Sequence, residues 1–233
     1  MTPPSPPDAP QSATRLTRGR LLLASLLLFV AFFFFGAAPL LDTIANGSTG
    51  QTPPPVSARA QALHQSLWIA DLHADSLMWN RAPEERHSRG RVDVPRLLDG
   101  GVALQAFTIV SKVPWGMNVS SNTGSSDMLT LLFFAEGWPP RTWTSLLERA
   151  LYQCERLHDS AQRSDGTFRV IHSRSELARY EQDRRAQPRL SAGFLGVEGA
   201  QVLEGKLENV QRLFDAGVRM MAPSHFFDTE VGG

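Results

Sequence analysis

From Leu21 to Leu41 the chain carries no charge, and four phenylalanines stand in a row from Phe32 to Phe35. At about 1.5 Å rise per residue this run makes a helix of roughly 31 Å, long enough to cross the hydrocarbon core of a bilayer. No polar face interrupts it, which argues against a helix lying on a soluble core. Arg15, Arg18 and Arg20 precede the run and Asp42 follows it, so the charge bias leaves the N-terminus in the cytoplasm and the rest outside. A cleaved signal peptide is the competing reading, because Gly36-Ala37-Ala38 offers small residues. Its apolar core would be only about 7–15 residues long, and Pro39 sits badly after a cut. The expected layout is a disordered cytoplasmic tail over 1–20, a transmembrane anchor over 21–41, a linker over 42–56 rich in Gly, Ser and Pro, and a soluble domain over 57–233.

Charge excludes one class of partner. With 23 basic and 23 acidic side chains the formal balance is zero, which gives no reason to invoke nucleic acid. The single cysteine, Cys154, forbids an internal disulfide and any Cys-x-x-Cys zinc or redox site.

Beyond Val56, strand-like and helix-like segments alternate. The sequence predicts a helix over Ser57–Leu67, a strand ending at His73, a buried strand over Val102–Val110, and a mainly helical stretch over 127–163 broken at Pro139-Pro140. A short strand follows over Thr167–Ile171. Ser173-Arg-Ser-Glu176 then reads as a capping box. Strands over Leu190–Val197 and Val218–Ala222 flank a helix stopped by Gly217. Such alternation argues for a parallel sheet covered by helices, with chemistry at the strand ends, as in α/β barrels. Only four or five strands can be counted over 56–233, against eight in a complete barrel. The expectation is the N-terminal part, about the first half, of a (β/α)-barrel.

Three of those strands end in a side chain able to hold a metal or a proton. In Asp71-Leu-His-Ala-Asp75, His73 and Asp75 are two residues apart in an extended segment and leave from one face. Imidazole and carboxylate together make a first-row metal half-site. Read alone, His73 is more readily an ordinary strand-end histidine and Asp75 a cap. Leu195-Gly-Val-Glu-Gly199 delivers Glu198 from a near-continuous apolar run, where a carboxylate is costly unless paired or coordinated. The alternative is an outward-turning loop glutamate. Arg219-Met-Met-Ala-Pro-Ser-His225 repeats the pattern with His225. The recurrence, with no nucleophilic cysteine or lysine nearby, suits metal-activated water better than a covalent mechanism. His64, His87, His158 and His172 read as structural or solvated.

The order of four motifs resembles the membrane dipeptidase (renal dipeptidase) family of zinc peptidases. These are Asp-Leu-His-Ala-Asp at 71–75, the run Arg91 to Gln105, Gly196-Val-Glu-Gly199, and Met221-Ala-Pro-Ser-His225. The resemblance covers roughly 65–110 and 165–233, and residues 120–163 look like an insertion. It implies a metal-dependent (β/α)-barrel with two zinc ions per complete enzyme. By match, His73 and Asp75 bind the first metal, Glu198 bridges the pair as the catalytic carboxylate, and His225 contacts substrate at the scissile carbonyl. The two histidines that complete the family's second zinc have no counterpart here, nor do its later acid–base aspartate and substrate-carboxylate arginine.

The function expected is a membrane-anchored zinc dipeptidase facing away from the cytoplasm. Its partners are a dipeptide substrate and the membrane, and a homodimer is admissible. With half of the two-metal site encoded, this chain alone is expected to be inactive. The alternatives are a mononuclear metal-dependent amidohydrolase built on His73, Asp75 and Glu198, and a catalytically inactive membrane-tethered binding protein.

Overall fold

A computed structural model describes residues 11–232 apart from 49, 51 and 53. Of the tail over 1–20 expected to be disordered, residues 1–10 lie outside the described residues, and 11–20 are corrected to helix. Ten residues before the apolar run the chain is already helical: helix α1 spans Gln11–Phe32, a π-helical turn covers Phe33–Ala37, and α2 continues over Ala38–Asn46. From Arg18 to Asn46 this is one helix long and apolar enough to cross a membrane, with a mean hydropathy of 2.6 in its most apolar window. The linker expected from Asp42 is therefore corrected at its start. Residues 42–46 finish α2, and Asp42 is buried.

The domain is built on one parallel sheet of five strands: β1 Ile69–Asp71, β2 Val102–Ile109, β3 Phe168–Val170, β4 Ser191–Val197 and β5 Val218–Met221. β1 pairs with β2, and β2 runs along the length of β4, from Leu104 opposite Ala192 to Ile109 opposite Val197. β3 lies against Ser191–Gly193 and β5 against Leu195–Val197, so these two strands divide the other edge of β4 between them. Both central strands are buried almost throughout, as their unbroken apolar runs require. At Gly193 a Cβ would strike the rings of Phe107 and Phe168, so glycine there is a packing requirement.

Helices supply the crossovers. α3 covers Ala58–Ser66, α4 Val94–Asp99, α5 Leu129–Ala135, α6 Leu146–Arg163, α7 Arg174–Ala186 and α8 Glu208–Asp215. Each start is written locally where a serine or aspartate caps it: the side chains of Ser57, Asp93, Ser145 and Ser173 accept from an N–H three residues on. The Ser173 box is completed one residue early, since Glu176 Oε2 accepts from the N–H of His172 at 2.6 Å. The helical stretch expected over 127–163 is interrupted at Pro139-Pro140, as proline demands, giving α5 and α6. Helix α6 buries Leu147, Ala150, Cys154 and Leu157 at helical spacing against the core shared with Phe107, Phe168 and Leu195.

The stretch 120–163 is fastened by one side chain. Arg149, 1% exposed, donates to the carbonyls of Thr142 (2.7 Å), Ser111 (2.8 Å) and Trp143 (3.0 Å), to Thr130 Oγ1 (2.7 Å) and to Asp127 Oδ2 (2.5 Å). Every face of the guanidinium is thereby satisfied.

Candidate metal centre

All five strands are parallel, so their C-terminal ends gather at one edge of the sheet. Past β1 the chain still bonds to β2, the N–H of Thr108 donating to Ala74 O at 3.0 Å. His73 and Asp75 follow the end of that strand, and their side chains face each other. At the end of β4, the N–H of Glu198 donates to Ile109 O at 3.1 Å, which continues the pairing with β2. The chain then turns at Gly199, whose φ of +87° is a conformation side chains resist. Strand β2 separates β1 from β4, so the two sides meet above it. Thr108, opposite Gly196 in the β2–β4 register, stands on that intervening strand.

Ligand-competent atoms of His73, Asp75 and Glu198 all lie within 4.8 Å of one another. His73 Nε2 is 2.9 Å from Glu198 Oε1 and 3.3 Å from Asp75 Oδ1. His225 Nε2 lies 3.2 Å from the other oxygen, Glu198 Oε2. The Thr108 hydroxyl donates to Asp75 Oδ1, and the His73 N–H donates to Asp71 Oδ1 at 3.1 Å. Glu198 is the buried member, with its side chain 9% exposed against 60% for His73.

The charge state fits a coordination site. Burial pushes the Glu198 carboxyl up to about 7, the Asp75 carboxylate beside it adds to the rise, and His73 opposes it. Burial lowers the pKa of His225, which favours neutral imidazole, the form able to donate a lone pair. Both Glu198 oxygens are buried and accept no hydrogen bond, although two imidazole nitrogens stand at 2.9 and 3.2 Å. Buried carboxylate oxygens are ordinarily paired. An orphaned pair facing imidazole nitrogens and a second carboxylate suits a divalent cation of the zinc type.

The four candidate residues thus meet at one place, whereas the other histidines do not. His64 Nε2 contacts Gly100 O at 2.8 Å, His87 Nε2 contacts Ala82 O at 2.8 Å, and His158 Nε2 contacts Ala216 O at 3.0 Å while stacking on His172. Among the tryptophans, Trp138 is core, stacked on Phe133 at 3.8 Å. Trp115 is exposed. Sequence reasoning missed Thr108. Its signal was a hydroxyl inside the apolar run Val102–Val110, at a position two strands share. It also missed the walls of the cleft of about 180 Å³ beside His73 and Asp75, formed by Asn46, Trp79, Arg81, Gly90 and Arg91.

The fold and the site define an α/β protein with a parallel sheet and a metal-competent cluster at its strand ends. Its sequence over 57–232 matches a model of the family described as membrane dipeptidase (peptidase family M19), and the chain belongs to that family. Among solved structures it is similar to the metallopeptidase "dipeptidase AC", at 19% identity over 68% of this chain and 43% of that one, with a TM-score of 0.50. Another is a metallopeptidase from Rhodobacter sphaeroides liganded with a phosphinate mimic of the dipeptide L-Ala-D-Ala, at 20% identity over 68% and 45%, with a TM-score of 0.48. The chain thus corresponds to less than half the length of either structure. No curated protein sequence matches it.

Proposed function

We propose that this chain provides the first metal-binding half of a membrane-anchored zinc dipeptidase, on a (β/α)-barrel facing away from the cytoplasm. One observation carries the reading: three side chains from two strand ends converge within 4.8 Å around the orphaned carboxylate of Glu198. Family membership supports hydrolysis of a dipeptide as the reaction. The long apolar helix, with Arg18 and Arg20 at its start, supports the anchor and its orientation.

His73 Nε2, an Asp75 oxygen and Glu198 Oε1 would hold the first ion. Oε2, the oxygen turned toward His225, would face a second, making Glu198 the bridge. When bound, zinc supplies an acidified water and polarises the scissile carbonyl. Asp75 is held for its task by the Thr108 hydroxyl at Oδ1, while its Oδ2 faces His73 Nε2 at 3.4 Å. Neutral His225, stacked at 3.7 Å on the Phe226 ring, would donate a hydrogen bond to the carbonyl oxygen as charge develops there.

A mononuclear amidohydrolase is the second reading. It is favoured by the fact that, among the described residues, one cluster of three ligands is found. Zinc titration of the complete enzyme against a chromogenic chelator separates the two: two ions per chain for the bridged site, one for the mononuclear site. Replacing Glu198 by Gln should lower zinc affinity by about a hundredfold or more and remove any chelator-sensitive release of amino acids from dipeptides. Undiminished hydrolysis in Glu198→Gln would remove the bridging role. A folded protein that binds no zinc would instead favour a tethered binding protein.

A further inference from the structure

The membrane-proximal helix does not end clear of the domain. Phe33 and Phe34 pack their rings on Phe134 at 5.8 and 5.3 Å, and Ala38 is buried against the cluster containing Val110, Leu132 and Trp138. One turn further on, Asp42 is 5% exposed and accepts from Arg89 Nε at 2.9 Å, with Arg81 Nε 3.5 Å away. Arg89 Nη1 also donates to Thr43 Oγ1 at 3.1 Å, and Asn46 Nδ2 donates to Asp42 Oδ1 at 2.8 Å. The helix then ends on the same segment. The N–H of Gly90 donates to Asn46 O at 2.9 Å, Arg91 Nη1 to Asn46 O at 3.2 Å, and Arg91 Nη2 to Gly47 O at 3.0 Å.

Three successive residues, 89 to 91, are therefore held by the last turn of an anchor. The opposite side of that segment faces the chemistry, because Gly90, Arg91, Arg81 and Asn46 itself line the cleft containing His73 and Asp75. Gly90 has a φ of +81°, a backbone conformation that side chains resist. From the far side, Arg156 Nη2 donates to the carbonyls of Trp79 (2.7 Å) and Arg81 (2.8 Å). The cleft wall hangs between α6 and the anchor helix. Without the helix, the carboxylate that holds Arg89 and the carbonyls that hold Gly90 and Arg91 are lost together.

We propose that the membrane-proximal helix is a working wall of the metal site, with Asp42, Asn46 and Arg89 as positioning residues that set the 89–91 segment over His73 and Asp75. Docking of the anchor and occupancy of the site are then coupled, and each strengthens the other. The coupling rests on the metal reading of His73, Asp75 and Glu198, but on neither the zinc count nor the substrate.

The test uses the whole chain in detergent micelles, with amide hydrogen exchange and zinc affinity by chelator competition measured on the same samples. Asp42→Ala and the milder Asp42→Asn are compared with Arg89→Ala and the double variant Asp42→Ala/Arg89→Ala. In Asp42→Ala, exchange at residues 89–92 should rise and zinc affinity fall about tenfold, as when the surroundings that orient metal ligands are loosened. Exchange in Ser191–Val197 should stay slow, which shows that the sheet is folded. The double variant should be no worse than either single one. Unchanged zinc affinity in both Asp42 variants, or unchanged exchange at 89–92, would overturn the coupling and leave the helix a passive tether. Wild-type protein that binds no zinc sinks the coupling through the metal reading, and its 89–92 exchange distinguishes that failure from a helix that never docks.

Discussion

Arg149 and Glu198 are both charged groups taken out of water, and they are treated in opposite ways. Arg149 finds five acceptors, one of them an aspartate, so its burial is fully compensated and it knits α5, α6 and the loop at Ser111 together. Glu198 sits at a strand end with both oxygens free of hydrogen bonds, and burial raises its pKa to about 7. A satisfied buried charge holds the fold, whereas an unsatisfied one is held for something that arrives later. The contrast teaches where to look for function in this chain: not at the most buried charge but at the least compensated one.

The largest effect should come from breaking the satisfied member. Arg149→Ala takes the guanidinium from three carbonyls and leaves Asp127 without its cation. It should destabilise the protein by about 3–5 kcal/mol, read as a lower urea midpoint, which is the usual cost of leaving half of a buried ion pair. A loss below about 1 kcal/mol would mean that water replaces the guanidinium freely.

Glu136 sharpens the comparison because it lies between the extremes. It accepts from the N–H of Asn80 at 3.1 Å and from Trp138 Nε1 at 2.9 Å, yet burial still raises its pKa from 4.5 to about 7. Its folded form therefore holds the proton more tightly than the unfolded chain does. The contribution of Glu136 to stability should be greatest below pH 4.5, fall by on the order of 3 kcal/mol as the pH rises towards 7, and level off above. Glu136→Gln should flatten that part of the stability–pH curve. A slope surviving intact in the variant would assign it elsewhere.

Glu198→Gln should do the reverse of Arg149→Ala. Unfolding free energy should hold or rise slightly, since a costly carboxylate is gone. Zinc affinity should drop by about a hundredfold or more, roughly 2.7 kcal/mol. Equal loss of stability and of zinc binding would erase the distinction between the two buried charges. The smallest effect is expected at Thr108→Val, which removes the hydroxyl on Asp75 while keeping the shape. Zinc affinity should fall about tenfold, with the midpoint of unfolding little changed.

Much of this was legible in one dimension. The apolar runs at 102–110 and 190–197 announced buried parallel strands, Ser173 and Glu176 announced a helix start, and the prolines at 139 and 140 announced a break. Those features act over a few residues, through backbone sterics and local hydrogen bonds, and so they survive being read in order. The candidate ligands were legible because His73, Asp75, Glu198 and His225 each close an apolar strand, and strand ends in a parallel sheet share one edge. Thr108 was not, because its partner Asp75 lies 33 residues away and only the β1–β2 register brings them together. The linker expected over 42–56 failed at its first residues for the same reason. Asp42 looked like the charge that closes a membrane span, and its burial follows from Arg89, 47 positions on.

The chain's own residues determined that it would carry an apolar helix, alternate strands with helices, and present imidazole and carboxylate where strands stop. Tertiary structure alone decided that Glu198 would face two imidazoles and a second carboxylate, that Arg149 would be saturated, and that Asn46 would line the cleft beside His73. Periodicity and capping are local and additive along the chain. Whether a buried charge finds partners depends on which distant segments the sheet register and helix packing deliver to it.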